Sequence, residues 1–372
     1  MATINANIAI VEIKYKVTKS DENFAATLSR RLLRWYAASR RDLPWRIPLG
    51  SARAASPPAY HVLVSEAMLQ QTQVATVVPY FQRFIARFPT ITALADADEQ
   101  DVLRHWQGLG YYTRARNLRE AARAIVDRFG GRVPDNVPDL LTLPGVGRYT
   151  AGAIASLAYG TRAPILDGNV MRVLCRLDAI RTDPRQRVTT ELLWVRAAEV
   201  LPARRVGDFN SAMMELGATI CTPRDPKCLI CPARPLCKAA ALGIAETIPP
   251  PKKKIATPTA RRRVLCVRRK DGAYLIEQRP PTGRWAGMWQ FITVDADTQP
   301  PSGVNDPIAT IRHALTHRKY VFEVHRAARS TIPPATPGRR WATFDQMDAL
   351  PFSRPHLQIR KLLREEDLAS GA

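Results

Sequence analysis

Acidic residues are scarce in this chain of 372 residues: 33 Asp and Glu stand against 55 Lys and Arg, a net charge of +22. That balance disfavours cationic partners and points to a polyanion, nucleic acid first. Lysine is missing altogether between Lys19 and Lys227, so this stretch holds no side-chain amine for Schiff-base chemistry. No apolar run approaches the ~18 residues of a membrane span, which excludes a helical membrane protein. Met1 to Ser20 has no apolar signal core and carries Glu12, Lys14 and Lys16; it is expected to be a flexible cytosolic extension over 1–20. Cysteine is rare at six residues, and a chain of this length buries a core without disulfides.

Hydrophobic spacing divides what is there. Phe24, Leu28, Leu32, Leu33 and Tyr36 recur at helical spacing, as do Tyr60, Leu63, Val64, Ala67 and Met68, then Leu118, Ala121, Ala122, Ile125 and Val126, then Ala151 to Leu157. Residues 21–245 therefore read as one helical domain. Pro249, Pro250 and Pro251 precede nine positive charges with no acid between them: Lys252, Lys253, Lys254, Arg261, Arg262, Arg263, Arg268, Arg269 and Lys270. A basic, proline-rich linker is expected over 246–262, suited to following a phosphate backbone. Half of the net charge, +11, lies in 251–372. Beyond the linker, Val264 to Val267 and Tyr274 to Glu277 read as strands of a hairpin turning at Asp271-Gly272. Tyr320 to Val324 reads as a third strand and His356 to Arg364 as a closing helix, which makes 263–368 a smaller α+β domain.

Four of the six cysteines, Cys221, Cys228, Cys231 and Cys237, crowd together as C-x6-C-x2-C-x5-C within 221–237. Four thiolates so close suit a tetrahedral metal or a four-iron, four-sulfur cluster. Zinc ribbons carry two C-x2-C knuckles, whereas only one is present, and Pro223, Pro226, Pro232 and Pro235 keep the loop non-helical; the pattern favours the cluster, in a structural role. Cys175 and Cys266 lie in apolar periodic runs and read as core.

Leu141-Thr-Leu-Pro-Gly-Val-Gly-Arg-Tyr-Thr-Ala151 joins two helical segments. Gly145 and Gly147 permit a tight turn, and backbone N–H groups near Val146 and Gly147, at a helix start, are expected to hold phosphate without reading sequence. The run resembles the helix-hairpin-helix motif of DNA glycosylases. With the cysteine loop, the helical domain resembles the endonuclease III superfamily. Ser65-Glu-Ala-Met-Leu-Gln-Gln-Thr72 and Leu166-Asp-Gly-Asn-Val-Met-Arg172 resemble the MutY-type adenine DNA glycosylases, and the C-terminal domain resembles that family's Nudix-like lesion-recognition domain.

Cleaving an N-glycosidic bond sends electrons to the base and positive charge to the sugar, a task that paired carboxyls perform in glycosidases. Glu66 is the only acidic or basic side chain between His61 and Arg83, although helical spacing places it off the apolar stripe. Asp167 precedes a helix start, where it can cap the helix while hydrogen bonds keep it ionised. The resemblance implies that Glu66 protonates adenine N7 and later activates water, that Asp167 stabilises the sugar cation, and that Asn169 helps arrange it. Tyr149 stands where bifunctional relatives carry the Schiff-base lysine, which implies a monofunctional enzyme. Leu69, Gln71 and Tyr111 match wedge residues that fill the gap left by a flipped base, and Arg46 matches a residue near the extruded adenine. Ser211, where relatives touch the base with Glu or Gln, carries no assignment.

The C-terminal domain has no R-E-x-x-E-E box for magnesium; Asp295 and Asp297 alone follow Gly287-Met-Trp-Gln-Phe291. The resemblance implies recognition of 8-oxoguanine, with Thr316 and His317 in a loop that reads Phe-Ser-His in relatives. The expectation is a multidomain base excision repair enzyme, an all-α helix-hairpin-helix glycosylase domain with a [4Fe-4S] cluster plus an α+β Nudix-like domain. It would act as a monomer in the cytoplasm, on duplex DNA holding A:8-oxoguanine or A:G and on no membrane. Two alternatives are a bifunctional pyrimidine glycosylase/lyase, opposed by Tyr149, and a non-catalytic iron–sulfur scaffold, opposed by Glu66 and Asp167.

Overall fold

The computed structural model describes residues 19–48, 56–251, 256–296, 306–332 and 338–369. The extension over 1–18, residues 51–55, Lys252, Lys253, Lys254 and Asp297 lie outside the described residues. Along the chain run helices α1 (Lys19–Ser39), α2 (Ala59–Leu69), α3 (Val74–Arg87), α4 (Ile91–Ala95), α5 (Glu99–Trp106), α6 (Thr113–Phe129), α7 (Val137–Leu141), α8 (Arg148–Tyr159), α9 (Gly168–Leu177), α10 (Arg187–Glu199), α11 (Val206–Thr219) and α12 (Lys238–Ala241). Strands follow: β1 (Thr259–Cys266), β2 (Tyr274–Gln278), β3 (Trp289–Asp295), β4 (Ala309–Ala314), β5 (Lys319–Arg326) and β6 (Arg339–Ala342), then α13 (Phe344–Asp348) and α14 (Arg354–Ala369). The expected change from helices to a mixed fold is present. None of the described helices is long and apolar enough to cross a membrane.

The chain divides into two compact units, Met1–Arg41 with Gly152–Pro251, and Asp42–Ala151 with Lys252–Ala372. In the first, α1 buries Leu28, Leu32 and Tyr36. Arg41 donates to both oxygens of the buried Glu215 on α11, at 2.7 and 3.0 Å. Asn210 donates to Ser156 Oγ and to Ala163 O. In the second, α2 is buried on every side from Val62 to Met68 rather than along one stripe, and this is why helical spacing misplaced Glu66 on an outer face.

The sheet order is β4-β5-β1-β3-β2-β6, with β1 and β5 parallel and the other pairs antiparallel. Alternating residues supply its two faces: Val264 and Cys266 join Tyr274, Phe291, Phe322, Ile359 and Leu363, while Leu265 and Val267 join Leu275 and Ile292. The expected β1–β2 hairpin forms only at its turn, where Arg269 and Ala273 pair and Gly272 adopts φ +83°. Beyond the Arg268–Tyr274 bridge the strands part and β3 enters between them. β3 escaped the period-2 reading because it begins with four buried residues in succession. The basic run is also reassigned. Arg261, Arg262 and Arg263 belong to β1, and acids pair with them: Glu323 with Arg261, and Asp295 with Arg262 at 2.8 Å. Arg269 pairs with Asp271, and Arg268 with Asp367 at 3.2 Å. These side chains are paired with acids rather than strung along a solvated spacer.

Asp367 anchors α14 to the sheet. It accepts from Tyr274 Oη at 2.9 and 3.0 Å and from Arg326 at 3.2 Å. Removing its carboxylate leaves the buried Tyr274 hydroxyl without its acceptor. Asp367→Ala should lower the opening free energy of β2 amides, read by hydrogen exchange in the intact protein, by about 2 kcal/mol.

Candidate active site

In the second unit, Glu66 lies at only 4% exposure between Ser65 and Ala67, and its carbonyl accepts the Gln70 N–H that ends the helix. The chain then turns sharply. Gln71 is exposed and holds φ +58°, a left-handed conformation that costs a non-glycine residue about 1 kcal/mol or more. Tyr111 sits likewise, 44% exposed at φ +46°, after Gly108 and Gly110. Two wedge candidates thus occupy strained, outward turns, a feature no helical periodicity could show. Leu69 is half-buried at the end of α2. Arg46 is half-buried in the turn after Leu43, beside Trp45, which packs edge-on against Phe81 at 5.4 Å.

Arg114, which carried no sequence signal, ties the two turns together. Its guanidinium donates to the carbonyls of Ala67 (2.9 Å), Met68 (2.7 Å) and Gln70 (2.6 Å). It also donates to Thr72 Oγ1 (3.2 Å) and to the carbonyls of Leu109 (3.4 Å) and Gly110 (3.2 Å). The last carbonyls of a helix lack intrahelical partners, so one half-buried cation serves as C-cap for α2. The same cation lies 5.4 Å from the Tyr111 ring centre. Burial pulls its pKa down to about 10, still far above neutrality.

In the hairpin between α7 and α8, Gly145 holds φ +74°, and a Cβ there would stand 2.6 Å from Asn117 Cβ; both turn and packing demand glycine. The Val146 N–H, expected to face phosphate, donates instead to Leu143 O at 3.2 Å and closes the turn. The Gly147 N–H has no acceptor among the described residues and remains available to an anion. Tyr149 lies half-buried in the first turn of α8.

In the first unit, Asp167 is the N-cap of α9, accepting from Val170 N–H at 2.7 Å and from Asn169 Nδ2 at 2.9 Å. The cap and its Asn169 partner are as expected, but the net effect on the carboxyl is not. Burial raises its pKa and outweighs the hydrogen bonds from Val170 and Asn169 and the attraction of Arg172. Asn169 is seated by Gly217, where a Cβ would come within 2.5 Å of Asn169 Cβ, and by Arg172, which donates to Asn169 Oδ1 at 2.9 Å and to Gly217 O at 2.8 Å. Ser211 is buried on α11.

Arg172 also donates to Cys221 O at 2.8 Å, so α9 links the capped carboxylate to the cysteine loop. Arg176, one helical turn on and 2% exposed, donates to Thr222 O (2.7 Å), Pro223 O (3.2 Å), Ile248 O (2.8 Å) and Cys221 Sγ (3.3 Å). Cys221, Cys228, Cys231 and Cys237 are all free and half-buried. Their charges act on one another, and backbone N–H groups of Ala233 and of Ala239 and Ala240 favour the thiolates of Cys231 and Cys237. Burial still pushes the Cys231 thiol up to about 11. As placed, no three His, Cys, Asp or Glu side chains among the described residues gather around a single metal ion. Cys175 and Cys266 are core, as expected.

Thr316 and His317 are exposed in the tight turn between β4 and β5, closed by Leu315 N–H donating to Arg318 O at 2.9 Å. Thr316 Oγ1 shares a hydrogen bond of 2.5 Å with Tyr111 Oη, so the structure joins two residues that the sequence placed in separate domains.

Arg114→Lys keeps the charge but loses the planar fork. Amide protection at 69–72 and at 109–111 should fall together in hydrogen exchange; loss at one turn alone would contradict the shared clamp. For Asp167, a raised pKa means that the folded state binds the proton more tightly than the unfolded one, so its charge opposes folding above the ordinary carboxylate range. Asp167→Asn, which keeps a capping oxygen, should therefore raise the melting temperature at neutral pH. The gain should vanish as pH falls below the ordinary carboxylate range.

Comparisons with known proteins show the family. The family model for the HhH-GPD superfamily base excision DNA repair protein matches residues 64–199, and that for the NUDIX domain matches 263–362. The adenine DNA glycosylase of Rattus norvegicus is 37% identical over 394 residues, spanning 88% of this chain and 76% of that protein. That of Homo sapiens is 36% identical over 381 residues, spanning 85% and 70%. The solved structure of a thermostable thymine-DNA glycosylase superposes with a TM-score of 0.52 at 28% identity, covering 60% of this chain and 99% of that one. On the strength of these matches, the chain belongs to the adenine DNA glycosylase family of the HhH-GPD superfamily.

Proposed function

We propose that this protein is a monofunctional adenine DNA glycosylase that hydrolyses the N-glycosidic bond of adenine opposite 8-oxoguanine or guanine in duplex DNA. The observation that carries the reading is the buried Glu66 carboxyl, which leads directly into the strained Gln71 turn that Arg114 clamps to Tyr111. Gln71, Leu69 and Tyr111 enter the base stack and compensate part of the cost of flipping adenine. Gly145 and Gly147 let the hairpin backbone approach a phosphate, and the basic surface supplies sequence-independent affinity. Arg46 lies near the extruded base.

Glu66 donates its proton to the departing adenine at N7 as the bond electrons pass to the base. Asp167 stabilises the oxocarbenium charge left on the sugar, and Asn169 holds its oxygen in place. Burial disfavours an isolated carboxylate, and the same low dielectric strengthens its attraction to a forming cation. Glu66, now ionised, takes a proton from the water that adds to the sugar carbon. Tyr149 offers a hydroxyl and no amine, so no Schiff base forms and the strand stays intact.

The donor chemistry of the four cysteines suits an iron–sulfur cluster, with thiols unbridged by disulfides and main-chain N–H groups that favour the thiolates of Cys231 and Cys237. Cys221, Cys228, Cys231 and Cys237 would hold a [4Fe-4S] cluster that fixes the loop receiving Arg172 and Arg176. Thr316 and His317 contact the oxidised base opposite adenine.

The test is single-turnover incubation with an A:8-oxoguanine duplex. Wild type should release adenine and break the strand only after alkali, with no borohydride-trapped adduct. Asp167→Asn should bind the duplex yet excise at least 100-fold more slowly, the order expected when transition-state charge stabilisation is lost. Strand cleavage without alkali would instead favour the lyase reading.

A further inference from the structure

Thr316 meets Tyr111 at the end of a closed series of contacts, and the residues that close it lie far from either tip. Tyr111 precedes α6, and Arg116 follows one turn later. Arg116 donates to Ala286 O, and to Glu99 Oε1 at 2.9 Å. Gln100 on α5 donates to Gly287 O at 3.1 Å and accepts from Trp289 Nε1 at 3.2 Å. The 285–288 turn is thereby fastened to the helices that carry the wedge. Gly287 is needed there: it holds φ +65°, and a Cβ would stand 3.1 Å from Arg116 Nη2.

Trp285, at the head of this turn, holds φ +53°, a conformation that bulky residues rarely adopt. Strain of this kind persists when surrounding contacts over-determine it. Its ring lies 5.4 Å from Tyr320 and 6.1 Å from His313. Those two residues are register partners on β5 and β4, just behind the turn that carries Thr316 and His317. Arg284 braces the same place, donating to Tyr320 Oη at 2.5 Å. One end of the turn thus grips the wedge helices, and the other supports the base of the reading hairpin.

We propose that Arg116 and Trp285 are positioning residues for mispair specificity: they hold the β4–β5 hairpin so that Thr316 stays registered on Tyr111 and reads the base opposite adenine. This rests on the function proposed above. Neither residue takes part in bond cleavage, so their loss acts on discrimination between opposing bases.

The test measures single-turnover adenine release by the full-length protein from A:8-oxoguanine and A:G duplexes. Trp285→Gly removes the ring and relieves the positive φ, and Arg116→Ala removes the other tie. Each should lower the ratio of the A:8-oxoguanine rate to the A:G rate by roughly three-fold or more while leaving the A:G rate within about two-fold, the range of coupling carried by contact networks. In a Thr316→Val background, which already lacks the hydroxyl contact, Trp285→Gly should change the ratio no further. An unchanged ratio in Trp285→Gly, or equal falls in both rates, overturns the inference while the proposed function stands. Wild type that releases adenine from neither duplex overturns both. If Arg116→Ala fails to fold, Arg116→Lys supplies the comparison, since a single ammonium cannot reproduce the paired contacts with Ala286 and Glu99.

Discussion

The exposed end of the Glu66 unit depends on one half-buried guanidinium. A helix ends with carbonyls that nothing within it satisfies, and the turn after α2 adds a residue in an unfavourable backbone region. Arg114 meets both demands by gathering carbonyls from α2, from Gln70 and from the Gly108–Gly110 turn. Planarity matters here as much as charge, because the N–H groups of its two terminal nitrogens, held in one plane, reach acceptors on two separate turns. Gln71 and Tyr111 can then stand exposed and strained without the backbone relaxing beneath them.

The other unit relies on α9 in a similar way. Asp167 caps its first turn, Arg172 secures Asn169, and Arg172 and Arg176 hold the cysteine loop. A single rigid element therefore carries the carboxylate at one end and the loop along its side. Burial that raises the Asp167 pKa is unfavourable to folding at neutral pH; under the proposed function, the same burial shields its meeting with a sugar cation from water. Gly217 shows the same economy of space, since the close approach of α11 leaves no room for a side chain beside Asn169.

The sheet domain carries charge pairs on its surface around its apolar faces. Arginines that read as a solvated linker pair with Glu323, Asp295, Asp271 and Asp367 once β1 lies between β5 and β3. A run of positive charge in sequence says nothing of the acids brought to it from residues 62 or 99 positions away. Local charge in the isolated chain thus overstates what this segment presents to a polyanion.

Local features were legible from the amino-acid order alone: the helical spacing of α1 and α6, the Asp167 cap, the glycine hairpin, the clustered cysteines and the change to strands after Pro251. Each depends on neighbours within a few residues, where backbone geometry and side-chain chemistry act directly. The burial of Glu66 was legible only in part, because α2 is enclosed on all sides and its periodicity misplaces the carboxyl. The insertion of β3 between β1 and β2, the Arg114 clamp, the strain at Gln71, Tyr111 and Trp285, and the meeting of Tyr111 with Thr316 were decided by tertiary structure. They arise where distant segments compete for the same hydrogen-bond partners and the same space, and chain order does not record that competition.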